Sequence, residues 1–281
     1  MNGLAFLEPS GPASSKRRLL LLSNSRDPAK GYLEHARDQI RDLLGDQIKT
    51  ALFIPFASVM ASYDEFASKV REGLSVIGCE LHSIHEAADP QRAIAEAEAL
   101  IVGGGNTFQL LSVLYEKDLL AILRERVCHG VPYIGWSAGA NLACPTIKTT
   151  NDMPIVEPPS FNALNLVPFQ INPHFIDFPL PDETAETRVD RINEFLAVNP
   201  GVYVAGMRDG TMLRVDAGSI KVEGSGRVCI FVKDQTPIDF GPGDSLQFLL
   251  QDDAAELMLS PCSLFEPASA APRPDRPAGV H

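Results

Sequence analysis

Short apolar runs alternating with amphipathic stretches constrain this chain more than any other feature. Residues 19–22, 51–55, 74–84, 99–102 and 131–136 are apolar enough to be strands buried on both faces. Between them, residues 30–44, 62–73, 89–98 and 106–128 carry helical periodicity. Such strand–helix alternation predicts an α/β fold, a mostly parallel sheet sandwiched by helices. Later in the chain, glycine-punctuated short strands at 202–205, 212–215, 219–222 and 228–232 predict an antiparallel edge added to the same sheet. Residues 1–16 and 266–281 are rich in Pro, Ala, Ser and Gly and read as flexible tails. That leaves 17–265 as a single α/β domain.

Charge and cysteine usage narrow the compartment and the partners. A net charge of −12 argues against a nucleic-acid or anionic-membrane surface, and means that an acidic ligand would need a locally placed cation. Five cysteines, an odd number with no paired spacing, give neither a disulfide framework nor a zinc pattern. No apolar run approaches the roughly 18 residues of a membrane span. Lys16, Arg17 and Arg18 before four leucines look faintly like a signal peptide, but Ser23, Asn24 and Ser25 end the run too early. A reducing cytoplasm is the expectation.

The strongest chemical signal is Gly135-Trp136-Ser137-Ala138-Gly139, which fits a G-x-S-x-G nucleophile elbow at the end of an expected strand. A sharp strand-to-helix turn needs small neighbours, pushes the serine oxygen out of the sheet, and frees the Ala138 N–H for an oxyanion. A second cluster, Gly103-Gly104-Gly105-Asn106-Thr107, also follows an expected strand. Phe108 spoils a dinucleotide fingerprint and no Lys-Ser/Thr of a P-loop follows. What remains is a loop that can offer Gly104 or Gly105 N–H to an anion, or a helix entry capped by Asn106 or Thr107.

A nucleophilic serine needs a base and an orienting acid. Of six histidines, His174 stands apart in Ile171-Asn172-Pro173-His174-Phe175, a context that suits a base and a structural histidine equally. His82 and His85 with Glu86 lack the order of a zinc motif and read as a solvated strand end. Asp152 and Asp209 are the candidate acids, the latter in an Asp-Gly turn.

At this point the sequence resembles peptidase E, the α-aspartyl dipeptidases, over about residues 19–233. The resemblance rests on Leu19-Leu20-Leu21-Leu22-Ser23-Asn24-Ser25, on Phe53-Ile54-Pro55-Phe56-Ala57, and on the block from Val102 through Gly103-Gly104-Gly105-Asn106 to Leu111. It continues from Tyr133 through the elbow and Asn141 to Asp152 and Val156, then in Gln170-Ile171-Asn172-Pro173-His174-Phe175 and Glu186-Thr187-Arg188. The resemblance implies a sandwich fold like that of class I glutamine amidotransferases, with serine replacing their cysteine. It implies a catalytic Ser137 and His174, with Asp152 and Asp209 both at positions tied to the acid. At the second position the bacterial pattern reads Pro-Glu-Gly, whereas here it is Arg208-Asp209-Gly210. Arg188 matches the arginine that holds the substrate's aspartyl side chain, and Asn106 and Asn141 join it as candidate substrate-binding residues.

The expected activity is therefore hydrolysis of dipeptides with an N-terminal aspartate, with no metal or cofactor, by a monomer or homodimer acting on small acidic dipeptides. Three rival readings share parts of this pattern. An α/β-hydrolase esterase shares the elbow, but too few residues separate Ser137 from His174 for the rest of that sheet. A cyanophycinase-like exopeptidase shares serine and histidine and should differ around Asn141 and Arg188. A non-catalytic binding module sits poorly with an intact serine, histidine and two acids.

Overall fold

The structure, a computed structural model, describes residues 16–27, 30–177 and 186–250. Apart from Lys16, both expected tails lie outside the described residues, as do 251–265. Seven strands form the main sheet: β1 (Arg18–Leu22), β2 (Thr50–Ile54), β3 (Glu80–Ser83), β4 (Leu100–Val102), β5 (Tyr133–Trp136), β8 (Thr211–Asp216) and β9 (Ser219–Gly224). Their order is β3-β2-β4-β5-β1-β8-β9. The first five pair in parallel; β8 joins β1 antiparallel and carries β9 as a hairpin. This is the mostly parallel, helix-flanked α/β architecture expected.

Leucine alternation explains why β1 is central. Leu19 and Leu21 pack into one apolar core with Leu52, Leu100 and Leu213, while Leu20 and Leu22 enter the other with Phe53, Ile101 and Trp136. Successive side chains of a strand point to opposite faces, so four leucines in a row can only be satisfied with helices on both sides. Those helices include α1 (Arg37–Leu44), α2 (Tyr63–Leu74), α3 (Pro90–Glu96), α4 (Thr107–Glu116), α5 (Leu120–Cys128) and α6 (Ala138–Leu142). Ser62 and Glu65 make a reciprocal capping box that starts α2.

The structure corrects three expectations. The stretch 106–128 is two helices, because Asp118 takes a left-handed φ of 52° between α4 and α5. Of 74–84 only Glu80–Ser83 is strand: Leu74 closes α2, a 3₁₀ turn follows, and Gly78 at φ 81° reverses the chain. The late strands do not all join the main sheet. β7 (Val204–Met207) and β10 (Val228–Phe231) belong to a second sheet with β6 (Gln170–Pro173) and β11 (Ile238–Phe240), ordered β11-β10-β7-β6. Both β7 and β10 are buried along their whole length, and α7 (Arg188–Val198) covers them through Ile192 and Leu196 against Phe175, Val204 and Phe231. Such two-sided burial needs its own layer and cannot be met at an exposed edge.

Among the described residues no helix is long and apolar enough to cross a membrane.

Candidate active site

The carboxyl ends of β1, β4 and β5 meet, which is where open α/β sheets place their ligands. Hydrogen bonding to β1 persists one residue past β5, since Ser137 N–H donates to Leu22 O at 3.0 Å. Ser137 then takes φ 52° and ψ −110°, a strained backbone for an L residue that costs on the order of 1–3 kcal/mol. The turn throws Gly139 onto β4, where a Cβ would lie 2.3 Å from the Val102 carbonyl oxygen. Only glycine fits there. Tyr133 fastens the new helix by donating its hydroxyl to Gly139 O at 2.6 Å. Ala138 is the first residue of α6, so its N–H has no partner within the helix.

Against this elbow stands the glycine loop after β4. A Cβ on Gly104 would fall 3.1 Å from Ser137 Cβ, and one on Gly105, at φ 141°, 2.2 Å from Ala57 O. Backbone therefore approaches the serine closely from this side, as an oxyanion donor must. Asn106 lines the same cavity, but both ends of its amide are engaged: Oδ1 caps Gln109 N–H at 3.0 Å and Nδ2 donates to Met153 O at 2.8 Å.

His174 follows β6, whose parallel pairing with β7 carries it to the elbow. Its Nε2 lies 3.0 Å from Ser137 Oγ, and its Nδ1 lies 2.8 Å from Asp209 Oδ1. A carboxylate that accepts from Nδ1–H leaves Nε2 free to accept the serine proton. The hydrogen bond from His174 is the main reason the Asp209 carboxyl sits below the usual aspartate range; burial opposes it and the imidazole charge assists. The shorter acid of Arg208-Asp209-Gly210 thus still reaches the ring. Both side chains are open to solvent, 41% and 60% exposed, so the pair strengthens when a substrate displaces water.

Asp152 does not touch His174. Its Oδ2 accepts from Thr107 N–H at 2.7 Å, Thr107 Oγ1 at 2.5 Å and Thr150 Oγ1 at 3.1 Å, so it fixes the amino end of α4. A negative charge is favoured at that helix end. Asn141 also departs from its expected role. It is fully buried, donating to Ile171 O at 2.7 Å and Thr149 Oγ1 at 3.3 Å. It ties the elbow helix to β6 and cannot touch a substrate. Arg188 opens α7 behind the N-cap of Thr187. It is half-buried, and no carboxylate among the described residues pairs with it. Burial is the main cause lowering its pKa, Arg191 adds to this, and the charges of Asp152 and Asp209 oppose it.

Three positioning residues went unread in the sequence. Ser23, buried at the end of β1, accepts from His174 N–H at 2.9 Å and donates to Met207 O at 2.8 Å, with Asp209 Oδ1 at 3.3 Å. One hydroxyl thus joins three strand ends and holds His174 in its left-handed backbone, φ 53°. Asn24 Oδ1 accepts from Gly210 N–H at 2.8 Å and sets the turn after Asp209. The only sequence signal was polar residues directly after four leucines.

Arg208 is the third. Its guanidinium donates to Asp239 at 2.7 Å and to Asp177, clamping the segment after His174 to β11. The hydrogen bond from Arg208 is the main cause holding Asp177 below the usual aspartate range. A depressed carboxylate stabilises fully above its ordinary value of 3.8 and loses that contribution as pH falls through the lower folded value. Arg208→Met should therefore cost about 1 kcal/mol near pH 7, a figure reduced for the exposure of both acids. The gap in urea midpoint from wild type should shrink as pH is lowered from about 5 to about 2. A gap that widens over this range would refute the clamp.

The metal-like group Asp64, His85 and Glu86 is already satisfied. His85 spans Asp64 Oδ1 at 2.9 Å and Ser83 Oγ at 2.7 Å, and Arg71 holds Glu86 at 2.8 and 2.9 Å.

Fold and site together define a hydrolytic α/β enzyme built on a strand–elbow–helix unit. The chain belongs to Peptidase family S51, whose model matches residues 19–223; it is a peptidase, and the likeness to peptidase E read from the sequence blocks holds. It is similar to peptidase E of Nostoc sp., 48% identical over 235 residues that cover 84% of this chain and 97% of that protein. Peptidase E of Salmonella typhimurium is 50% identical over 213 residues, 76% of this chain and 93% of the relative. A solved peptidase from an acI-B1 actinobacterium superposes with TM-score 0.59 over 83% of this chain and 98% of its own, at 18% identity, a likeness of fold alone.

Proposed function

We propose that this chain is a serine-type dipeptidase that releases the N-terminal aspartate of Asp-X dipeptides through an aspartyl-enzyme. The observation that carries the reading is the unbroken line Ser137 Oγ, His174 Nε2, His174 Nδ1, Asp209 Oδ1 at 3.0 and 2.8 Å. His174 accepts the serine proton while Oγ attacks the carbonyl carbon of the aspartyl residue. The Ala138 N–H, with that of Gly104 or Gly105, receives the negative oxygen. As the C–N bond breaks, His174 hands its proton to the leaving amine. Water, deprotonated by His174, then attacks the ester and frees Ser137. The established likeness to peptidase E supports the choice of substrate. So does a half-buried guanidinium at Arg188, a fork that fits a side-chain carboxylate.

The test is a panel of Asp-X, Glu-X, Asn-X and Ala-X dipeptides, with an active-site serine reagent to identify the modified residue by mass spectrometry. Asp-X should be strongly preferred to Asn-X, because the amide leaves Arg188 unmatched, and label should appear on Ser137. Arg188→Met should lower kcat/KM for Asp-X by about 30-fold to a few thousand-fold, from the roughly 2–5 kcal/mol of a desolvated charge pair. Equal rates on Asp-X and Asn-X would remove Arg188 from this role.

A further inference from the structure

The cavity in front of Ser137 is lined by two cations that the aspartyl side chain does not require. It has a volume of about 1000 Å³, and Ser137, His174, Gly104 and Gly105 share its wall with Arg26 and Lys69. Arg188 is not part of that wall. In a chain of net charge −12, two cations on the wall that carries the nucleophile call for an explanation.

The acids on the same wall are occupied elsewhere. Glu65 accepts from Ser62 N–H at 2.9 Å and Ser62 Oγ at 3.0 Å, and Asp209 serves His174. Among the described residues neither Arg26 nor Lys69 forms an ion pair with a carboxylate. Lys69 Nζ rests 4.6 Å from the centroid of the Tyr32 ring, which holds the ammonium at the cavity wall. Burial, the larger cause, and the charge of Arg26 both lower the Lys69 pKa. Like charges on one wall oppose each other, and an anion bound between them would relieve that repulsion.

Resting on the reading of the chain as an Asp-X dipeptidase, we propose that Arg26 and Lys69 bind the C-terminal carboxylate of the leaving residue. A dipeptide ends one residue after the scissile bond, so its carboxylate lies at most about 3.6 Å beyond the leaving nitrogen. Long, flexible arginine and lysine side chains on the cavity wall can close on a group held there. Arg188 takes the carboxylate of the aspartyl side chain, and Arg26 with Lys69 takes the one at the other end. This division makes the site select for length as well as for aspartate: the amide of a longer peptide lacks the second charge.

The experiment compares Asp-Ala with Asp-Ala-amide, using wild type, Arg26→Gln/Lys69→Met and Lys69→Arg, with thermal melts to check folding. Wild type should favour the free acid by about tenfold or more in kcat/KM, the level of one lost charge pair. In the double variant the ratio should fall to about one, and Lys69→Arg should keep most of it. A wild-type ratio near one, with both compounds cleaved, overturns this subsite and leaves the aspartyl dipeptidase standing. A double variant that keeps the full ratio overturns it as well. Equal losses on acid and amide would assign the cations to the aspartyl side chain and overturn it too. Cleavage of neither compound by wild type ends both readings.

Discussion

Ser137→Ala should lower kcat on Asp-X by about six orders of magnitude, and adding His174→Ala should lower it little further. The reason lies in the geometry. His174 Nε2 is 3.0 Å from Ser137 Oγ, so in the proposed mechanism base and nucleophile act through one shared proton. Without the hydroxyl there is nothing for the base to activate, and without the base the hydroxyl stays a weak nucleophile. Their separate losses therefore do not add. Alanine keeps the Cβ, so the elbow at φ 52° should retain its backbone and its close packing on β4. Single-turnover kinetics on purified variants, with a thermal melt beside them, provide the measurement. A Ser137→Ala enzyme within tenfold of wild type, or a double variant that loses the product of two full factors, would contradict a serine relay.

The parallel half of the fold was legible because burial on both faces leaves a continuous mark. Leu19 to Leu22 feed two cores in alternation, and no amphipathic edge strand could carry such a run. The elbow was equally visible, since Gly135 and Gly139 are demanded by contacts within a few residues and with the neighbouring strand. Elements set by distant partners were not. The Gln170–Pro173 strand pairs with residues from Val204 onward, and its apolar pattern alone does not say which sheet it will join. Likewise α7 was missed, because its buried face is only Ile192 and Leu196. Asn141 was a candidate substrate contact through the family resemblance alone. One turn of helix rotates it inward to the Ile171 carbonyl instead. Ser23 shows the same limit from the other side: its three partners, His174, Met207 and Asp209, all come from a remote part of the chain.

Asp209→Asn is expected to lower kcat by about four orders of magnitude with the fold intact, because an amide can hold His174 in the wrong tautomer. Asp209 Oδ1 lies 2.8 Å from Nδ1 and Ser23 Oγ 3.3 Å from the same oxygen, so in the proposed mechanism the carboxylate both orients the ring and stabilises the imidazolium formed on proton transfer. Held below the usual aspartate range by His174, this acid stays ionised as pH falls toward 3.8. The loss of activity in Asp209→Asn should therefore persist across the whole pH range in which the wild-type carboxylate is ionised. Asp152→Asn should behave differently. Its carboxylate faces Thr107 and Thr150 at the start of α4, so the loss is a helix-end charge and part of a cap, about 1 kcal/mol of stability. It also removes a negative charge whose field reaches Arg188, which on electrostatic grounds should leave KM for Asp-X unchanged or slightly lower and kcat near wild type. Paired pH–rate profiles and urea melts of the two variants separate the roles. A near-normal kcat in Asp209→Asn beside a folded, inactive Asp152→Asn would exchange them, and would mean that the 2.8 Å contact to His174 is structural only.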